Sequence, residues 1–464
     1  MSEVIYNKKK LKVKLIVFVS FLISMPIFSQ KKWTLKECVD HALENNITVQ
    51  QSLLNLELTK LNVKNARGNF LPNLNAAGSQ IFNFGSFLGN DGSRISRDTR
   101  ANTLSANSST TLFNGFRNLN TYKQAKLGVE RSQLNLEIIQ NDISLFVVNG
   151  YLNVLFAKEN LSVAKTQAAI SKTQVEAATQ RYEAGITAKG DLLNAKSTAA
   201  SDQQNVVSQE NVLSIALLNL AHSLQIPSKD FDILNIEIDN PSGVLLFNNS
   251  EIVYQKSLSI QPQIKNAELG IIDAEYNIEI AKSFLKPSIN FSFGSNTSYQ
   301  HLQGGKDEII IIDPVTRLPE TIPNGFFKQF SGNLGHNFSL NVSIPIFNRT
   351  QSKTNIARQI INKELSQVNL DNEKLQLQQS IEQAFVDSKV AAKTFEASKV
   401  SLEAQREAFK NAQESYNLGT STLFDFDLVR NRLVSAESAL IRAKYDFVFK
   451  TKVLQFYYGE LHLD

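Results

Sequence analysis

The feature that most constrains the fold of this chain is an internal sequence repeat. Residues 181–196, RYEAGITAKGDLLNAK, match residues 415–430, SYNLGTSTLFDFDLVR, at a displacement of 234 positions. Earlier in each half, ARGNFLPNL (66–74) corresponds to AKSFLKPSI (281–289). Because these landmarks recur in one order, the sequence predicts two copies of one structural unit within a single chain.

Each half predicts the same series of elements: a helix, two strands, a very long helix and a shorter helix. We expect helices over residues 34–70, 118–181, 191–225, 252–285, 350–416 and 425–458, and strands within 72–85, 104–112, 288–294 and 338–347. The predicted domain organisation is a segment 1–29, a first repeat over 30–226, a linker over 227–250 and a second repeat over 251–464.

The two long helices require packing partners along their length. A helix over 118–181 measures roughly 95 Å at about 1.5 Å per residue. Apolar and small residues recur in it at alternating spacings of four and three, which is typical of a coiled-coil seam. The second long helix carries such a seam built from smaller side chains, at Leu377, Ile381, Ala384, Ser388, Ala391 and Phe395. The apolar stripes are therefore interpreted as packing seams.

The N-terminus has the pattern of a secretory signal peptide. Five lysines precede the apolar run LIVFVSFLISMPIF, and the small residue Ser29 stands before Gln30. Residues 1–29 carry five Lys and one Glu, which accounts for the whole formal net charge of +4. An exported chain with 43 basic and 43 acidic residues lacks the basic surface that nucleic-acid binding requires.

The predicted strands have one oily face and one polar face. In FSLNVSIPIF (338–347), apolar residues alternate with Ser, Asn and Pro. The residues expected to face lipid are Ile289, Phe291, Phe293, Phe338, Leu340, Val342 and Ile344. A small sheet packed on helices is the alternative. Export, the Ser/Asn/Gly-rich second face, and the long loops 86–103 and 297–332 favour a membrane barrel with a watery lumen.

Four strands cannot close a membrane barrel. An open edge in lipid would leave backbone N–H and C=O groups unsatisfied at several kcal/mol each. Because closed membrane barrels start at about eight strands, copies of the chain would have to share one barrel. Two copies would supply eight strands and three would supply twelve.

This order of parts resembles the TolC family of outer-membrane efflux proteins. The resemblance rests on the order helix, FLPxL, two strands and long helix, and on a YxxG turn with Asp six residues after Gly. This order is present twice, with FLKPSI in the second half where the first has FLPNL. It covers the chain from Trp33 to about Gly459, and the segment 182–195 is quite specific to that family. It implies a mainly α fold with a small antiparallel β part. Coiled-coil helices would form an α-barrel, and a homotrimer would share a 12-stranded β-barrel.

The resemblance also implies a function and a location. The chain would be an exit duct in the outer membrane lipid, with its helical part in the periplasm. It would be gated at its periplasmic tip and coupled through a periplasmic adaptor protein to an inner-membrane transporter, in a tripartite efflux or type I secretion system. Residues 227–250 would contribute to an equatorial belt.

The same resemblance assigns residues to the tip. The aperture would be formed by Asp191, Asp425 and Asp427, and the adaptor would contact the turn residues Tyr182, Gly185, Ile186, Tyr416, Gly419 and Thr420. The family's second aperture carboxylate would fall at position 428, which is Leu here. Helix N-capping is the alternative role for Asp191 and Asp425.

Candidate catalytic chemistry is not evident in the sequence. The five His residues are scattered without metal-ligand spacing, and GITAKGD (185–191) lacks the Lys-Ser/Thr of a phosphate loop. The lone Cys38 excludes an internal disulfide and is interpreted as a small residue on a helix. We therefore expect a protein that is not an enzyme and needs no cofactor. A trimeric adhesive coiled coil anchored by a shared barrel is the alternative function.

Overall fold

The computed structural model describes residues 32–88, 91–96, 98–235 and 245–460. The predicted signal peptide (1–29) lies outside the described residues, as does part of the predicted linker. In chain order the helices are α1 (Leu35–Asn45), α2 (Ile47–Gly68), α3 (Arg117–Glu183), α4 (Lys189–Ser223), α5 (Ser250–Ile260), α6 (Pro262–Ser283), α7 (Phe326–Gly332), α8 (Gln351–Asn417) and α9 (Leu423–Tyr458). The strands are β1 (Lys32–Trp33), β2 (Asn73–Asn83), β3 (Ser86–Leu88), β4 (Arg94–Ser96), β5 (Thr99–Asn114), β6 (Asp232–Ile233), β7 (Ser288–Leu302), β8 (Glu308–Ile312), β9 (Pro319–Pro323) and β10 (Gly335–Ser343).

The predicted mainly α fold with a small antiparallel sheet is confirmed, and the repeat is visible in element lengths. The long helices α3 and α8 each have 67 residues, and the helices that follow them, α4 and α9, have 35 and 36. The chain divides into two units. The first comprises the described residues up to Gln51, with 138–261 and 376 onward, and the second comprises 52–137 and 262–375.

Two helices predicted as continuous are each divided, and the break occurs at matching places in the two halves. Asn46 ends α1 in an extended conformation, and its side-chain Oδ1 accepts the backbone N–H of Thr48, which starts α2. Gln261 ends α5 in the same extended conformation, because the residue before Pro262 avoids the helical region. Proline is well suited to the first position of the next helix.

The first unit has its main core where α1 packs on α3 and α4. Cys38, Val147 and Leu220 are among its fully buried residues. Thr34 and Glu37 form the predicted capping box at the start of α1. The buried Tyr151 hydroxyl donates to the Leu234 carbonyl at 2.7 Å, next to the parallel pair β1–β6. Cys38 is thus a small buried helix residue, as predicted.

The coiled-coil seam predicted in the second long helix is confirmed. All six of its residues are buried, from Leu377 to Phe395, and Ile381 is fully excluded from solvent. Phe395 stacks on Phe447 of α9, with their ring centroids 6.3 Å apart. The small residues of the seam leave room for α8 and α9 to approach closely.

The second unit contains a four-stranded antiparallel sheet in the order β10-β7-β5-β2. The two strands of each half are therefore adjacent, and the two halves join at β5–β7. A bulge between Thr111 and Phe113 shifts the register of β5 against β7. Within the part of the chain that the structure describes, β2 and β10 each have a strand neighbour on one side only.

The predicted strand over 338–347 is displaced. β10 begins at Gly335 and ends at Ser343, because Pro345 cannot donate a ladder hydrogen bond. The prediction of Ile344 as a strand residue is therefore wrong, and its exposed side chain lies in the irregular segment that follows β10. The predicted loops 86–103 and 297–332 are also shorter than expected, since they contain β3–β4, the start of β5, the end of β7, β8–β9 and α7.

Helix α7 covers the part of β7 that extends beyond its pairing with β10. Pairing of β10 with β7 stops at Gly335 and Asn296, while β7 continues to Leu302. Over this stretch the Gln329 side-chain amide accepts the Gln300 backbone N–H and donates to the Gln300 carbonyl, both at 3.0 Å. A side chain thus supplies the two hydrogen bonds that a neighbouring strand would have made.

Candidate functional site at the helix-hairpin turns

The two turns predicted as tip residues share one backbone design. In the first, the N–H of Gly185 donates to the Tyr182 carbonyl and the N–H of Ile186 donates to the Arg181 carbonyl, both at 2.9 Å. In the second, Gly419 and Thr420 make the equivalent bonds to Tyr416 and Ser415. This is the Schellman ending of a helix, which needs a residue in the left-handed region.

Glycine is required at this point of each turn. Gly185 has φ +73° and Gly419 has φ +74°, where a side chain would be strained. Neither position has a heavy atom within 4 Å of an added Cβ, so the requirement comes from the backbone alone. The predicted role of both residues as turn-makers is confirmed.

The two helices that follow the turns are capped differently. Thr422 caps α9: its hydroxyl accepts the Asp425 backbone N–H at 3.2 Å and donates to the Asp425 carboxylate at 2.6 Å. Ala188 stands at the same place before α4 and makes no side-chain capping bond. Asp191 and Asp425 are both the third residue of their helix. A carboxylate in the first turn interacts favourably with the positive end of the helix dipole. Neither Asp191 nor Asp425 is therefore the N-cap residue that the alternative interpretation expected, since Ala188 and Thr422 hold those positions.

A small apolar core holds the two hairpins together at the turns. Leu192 of α4 packs with Leu423 and Phe426 of α9, and all three are buried. Tyr416 stacks on Phe426, with ring centroids 5.2 Å apart, and the Arg181 guanidinium lies 5.1 Å from the Tyr416 ring centroid. Tyr416 is therefore half-buried in the hairpin packing.

Other residues of the turns are open to solvent. Tyr182, the repeat equivalent of Tyr416, is exposed, and Ile186 is 72% exposed. Leu418 and Phe424 in the second turn are 80% and 77% exposed. A cleft of about 450 Å³ separates the turns, with Asp191, Ile186 and Gly419 in its lining. Four of the nine predicted tip residues thus line one cleft: Asp191, Ile186, Tyr416 and Gly419.

Asp427 does not share the open position of Asp425. Its carboxylate retains 18% exposure and lies against Arg430, with Arg430 Nε 3.7 Å from Asp427 Oδ1. The Thr198 hydroxyl of α4 donates to Asp427 Oδ2 at 3.4 Å. Asp425, in contrast, is exposed in the first turn of α9. Of the two neighbouring carboxylates, Asp425 is the exposed one.

Arg430 is the centre of a buried charged cluster that sequence reasoning missed. Its side chain retains 2% exposure and forms an ion pair with Asp202 of α4, with Nη1 3.2 Å from Oδ2. The same Nη1 donates to Gln174 Oε1 of α3 at 3.4 Å. The signal was present in the spacing, since Leu423, Phe426, Arg430 and Leu433 follow alternating steps of three and four and are all buried. An arginine at a seam position requires buried acceptors.

The pKa of the Asp427 carboxyl is raised above its usual value. Burial is the largest cause, and the Asp202 carboxylate adds to it, while Arg430 and the Thr198 hydroxyl act in the opposite direction. The attraction to Arg430 does not prevail, because the guanidinium is shared with Asp202 and its Nε is too distant for a direct hydrogen bond. The cluster therefore contains two carboxylates, Asp202 and Asp427, and one cation, Arg430.

The predicted lipid-facing residues lie side by side on one face of the sheet. Phe293 is paired with Phe338, and Phe291 with Leu340. The rings of Phe293 and Phe338 are 4.9 Å apart between centroids. Phe338, Leu340 and Val342 are all more than half exposed. Ile289 and Val342 continue the same face, and Ile344 lies beyond it.

Among the described residues, no three His, Cys, Asp or Glu side chains come close enough together to hold a metal ion. None of the described helices combines the length and apolar character that a membrane-spanning helix needs.

The chain is similar to known proteins over most of its length. The family model described as "Outer membrane efflux protein" matches residues 38–224 and 253–460. Among curated relatives, outer membrane protein TolC of Salmonella enteritidis is 19% identical over 70% of this chain and 62% of its own length. The cation efflux system protein CusC of Escherichia coli O157:H7 is 23% identical over 72% of this chain and 66% of its own length. The match thus spans less than two thirds of either relative.

Solved structures share the fold. The CmeC outer membrane channel of Campylobacter jejuni has a TM-score of 0.73 at 17% identity, covering 92% of this chain and 86% of that chain. The open state of the MtrE outer membrane channel of Neisseria gonorrhoeae has a TM-score of 0.68 at 21% identity, covering 93% and 90%.

Proposed function

The chain belongs to the outer membrane efflux protein family, and from that premise we propose that it is the exit duct of a tripartite efflux or type I secretion system. In this proposal three copies share a barrel of twelve strands in the outer membrane, and their helices continue the duct into the periplasm. An adaptor protein and an inner-membrane transporter couple to its tip.

The observation that supports a shared barrel most directly is the four-stranded sheet. One face carries exposed aromatic and aliphatic side chains, and the other carries Asn, Ser and Thr. Its outer strands β2 and β10 each lack a second neighbour among the described residues. In lipid, both edges would have to be paired. Pairing of β10 with β2 of a second copy would keep the antiparallel order and present one face to lipid.

The choice of three copies rests on the family resemblance. Two copies would supply eight strands, which is the smallest size of ordinary membrane barrels. Cross-linking Cys substitutions in β2 and β10, followed by mass measurement of the linked species in detergent, distinguishes the two. We expect a linked trimer, and a linked dimer would replace the proposed twelve-stranded barrel with an eight-stranded one.

The gate in this proposal lies at the two turns. Three copies of the exposed Asp425 would place a ring of carboxylates at the aperture, and such rings attract cations. Asp427 and Arg430 would act behind this ring, by holding α9 against α3 and α4. Asp191 belongs to the aperture in the proposal as the repeat equivalent of Asp425.

Adaptor contact is proposed for the exposed side chains of the turns. Exposed apolar side chains lie at the ends of the hairpins, at Ile186, Leu418 and Phe424, close in sequence to Tyr182 and Thr420. Large exposed apolar side chains favour contact with another protein. Gly185, Gly419 and Tyr416 shape the turns that present these residues.

Single-channel recording in planar bilayers tests the proposal. We expect discrete openings from the purified protein, and block of those openings by a trivalent cation such as hexaamminecobalt. Asp425→Asn, which keeps the shape of the side chain, is expected to weaken that block, and the matched variant Asp191→Asn reports the contribution of the first turn.

Two outcomes would contradict parts of this proposal. A well-folded protein that gives no openings would favour the adhesive stalk over the duct. Openings whose cation block is the same in the parent and in Asp425→Asn would keep the duct and remove Asp425 from its gate.

A further inference from the structure

We propose that the polar face of the four-stranded sheet forms a charge-free, hydrogen-bonding wall that lets polar cargo of either sign pass through the barrel. This inference rests on the proposed duct and adds to it the class of cargo that the barrel stretch accepts. The wall is named here the amide face. Its main polar members are Asn73, Asn75, Ser79, Ser105, Asn107, Ser109, Thr111, Asn290, Ser292, Asn296, Ser298, Asn337, Ser339 and Asn341.

Strand register defines this face. Directly paired residues of antiparallel strands point to the same side. The row through Asn107 contains Asn75, Gly294 and Asn337, and the neighbouring row contains Asn73 and Ser109. Continuing along all four strands, alternate residues stay on this side until each strand ends.

No ionisable side chain lies on the amide face in any of these four fully described strands. The face has about 27 positions, and a fifth of the chain is charged, so about five charges would be expected by composition alone. The ionisable residues of the sheet, Arg100, Tyr299, His301 and His336, all belong to the opposite face. Channels select ions by rings of like charge, and this stretch supplies none.

Hydrogen bonds between strands fix the polar side chains in place. The Thr111 hydroxyl donates to Asn290 Oδ1 at 2.9 Å. The hydroxyls of Ser292 and Ser339 are 2.6 Å apart. The amide face is therefore an ordered surface of amide and hydroxyl dipoles.

Gly294 makes room for the most crowded row of this surface. A Cβ at this position would collide with the Asn337 side-chain amide and would come within 3.0 Å of Asn107 Oδ1. Because residue 294 has no side chain, the side-chain amides of Asn107 on β5 and Asn337 on β10 extend over β7 from its two sides. Each amide offers a carbonyl to a donor and an NH₂ group to an acceptor, so the row binds neither sign of charge preferentially.

Thiol labelling of the full-length protein in liposomes tests the wall. The probes are two methanethiosulfonate reagents of similar size, one with a quaternary ammonium group and one with a sulfonate. Asn107→Cys places the target on the amide face, and Ser108→Cys is its matched control on the opposite face. The native Cys38 is fully buried, and the unsubstituted protein reports any labelling there.

We expect Asn107→Cys to react with both reagents and Ser108→Cys to react with neither. The ratio of the labelling rates with the cationic and the anionic reagent at Asn107→Cys should stay within about twofold of the ratio for a free thiol. The reason is that a wall without charged groups adds no net electrostatic potential. Adding Asn337→Asp, two strands away at roughly 10 Å, should raise that ratio about fourfold at low salt. Asn337→Gln is the neutral control and should leave the ratio unchanged.

The outcomes separate failure of the wall from failure of the duct. Rapid labelling at 108 with none at 107 would reverse the faces and overturn the inference. An anion rate suppressed more than tenfold in the parent would also overturn it, because the wall would then be effectively negative. Absence of discrete openings in bilayers would overturn the proposed duct itself, whatever the labelling pattern.

Discussion

The two hairpin turns have the same backbone and different chemistry. Both end a 67-residue helix with a left-handed glycine and the same pair of backbone hydrogen bonds. The second turn adds a threonine cap, a stacked tyrosine and, just beyond it, a buried arginine. The first turn has Ala188 at the cap and the exposed Lys196 at the position equivalent to Arg430. Backbone geometry is thus common to both copies, and the buried cation belongs to one.

This asymmetry assigns complementary tasks to the two hairpins. The first hairpin supplies the acceptors Asp202 and Gln174, and the second supplies the cation that binds them. An internal duplication can therefore do more than repeat a shape, because two copies that differ at one seam position can bind each other. Paired substitutions at equivalent positions of the two hairpins test this division of tasks.

The largest effect is expected from Arg430→Met. Removing the guanidinium leaves the half-buried Asp202 and Asp427 carboxylates without their cation, which costs up to about 3–5 kcal/mol. Lys196→Met at the equivalent exposed position should change the free energy of unfolding by no more than about 0.5 kcal/mol. Guanidinium unfolding in detergent, followed by helical circular dichroism, measures both.

A rescue variant separates lost charge balance from lost packing. Adding Asp202→Asn and Asp427→Asn to Arg430→Met removes the uncompensated carboxylates and should recover much of the lost stability. If the triple variant is as unstable as Arg430→Met alone, the charged cluster is not the source of the effect.

Equal effects are expected from Gly185→Ala and Gly419→Ala. Each forces an L-residue into the left-handed region, at about 1–2 kcal/mol. Gly190→Ala is the control, because Gly190 has no positive φ and lies within α4. It should stabilise by roughly 0.4–1 kcal/mol. A clear difference between the two turn variants would show that the shared backbone design is not equally important in both copies.

Exchange of the caps is expected to have opposite effects of similar size. Thr422→Ala removes a side-chain cap and should cost about 1 kcal/mol. Ala188→Thr should stabilise α4 by up to about 1 kcal/mol, because Ala188 already has the extended backbone of a cap and Asp191 stands three residues on. Amide hydrogen exchange at the first turn of each helix reports both changes. Slower exchange in α4 of the Ala188→Thr variant is the expected sign, and unchanged exchange would contradict it.

The smallest expected effect is on how the free energy of unfolding depends on pH. Because the pKa of Asp427 is raised in the folded chain, its protonated form is favoured by folding. Its contribution to stability is present below the carboxyl's ordinary pKa and is lost as pH rises through the raised value. Asp427→Asn should flatten this acidic part of the stability profile relative to the parent. Leu193, the repeat equivalent, has no group that could titrate, so Leu193→Ala should leave the shape of the profile unchanged.

Much of the fold was predictable because it depends on periodicity and on residues with restricted backbones. The repeat, the long helices, the seam from Leu377 to Phe395 and the turn glycines were all visible in the sequence. The helix breaks at Asn46 and Gln261 were not predicted. Asn46 can both end and start a helix without a gap in the helical pattern, whereas Pro262 was a local signal for the break at Gln261 that the helical periodicity around it outweighed. Pro345 offered a reason to end β10 early, but the alternation of apolar residues past it outweighed that signal.

The candidate site was predicted less completely than the fold. Spacing and resemblance identified the turns, but burial decides which carboxylate faces solvent, and burial depends on the partner helices. Asp425 and Asp427 are two residues apart, yet Asp427 lies against α4 and Asp425 does not. The acceptors of Arg430 come from α3 and α4, more than 220 positions away, and no local pattern connects them.

The three-segment construction of the first unit determines the order in which it can form. Its N-terminal pair β1–β6 joins residues 200 positions apart, and Ser257 of α5 donates to the Tyr457 carbonyl near the end of α9. Synthesis from the N-terminus delivers α1 before α9. The unit therefore cannot be completed until α9 has been made, and the apolar surfaces of its early helices stay uncovered until then. Such high contact order makes folding slow and leaves the growing chain prone to aggregation.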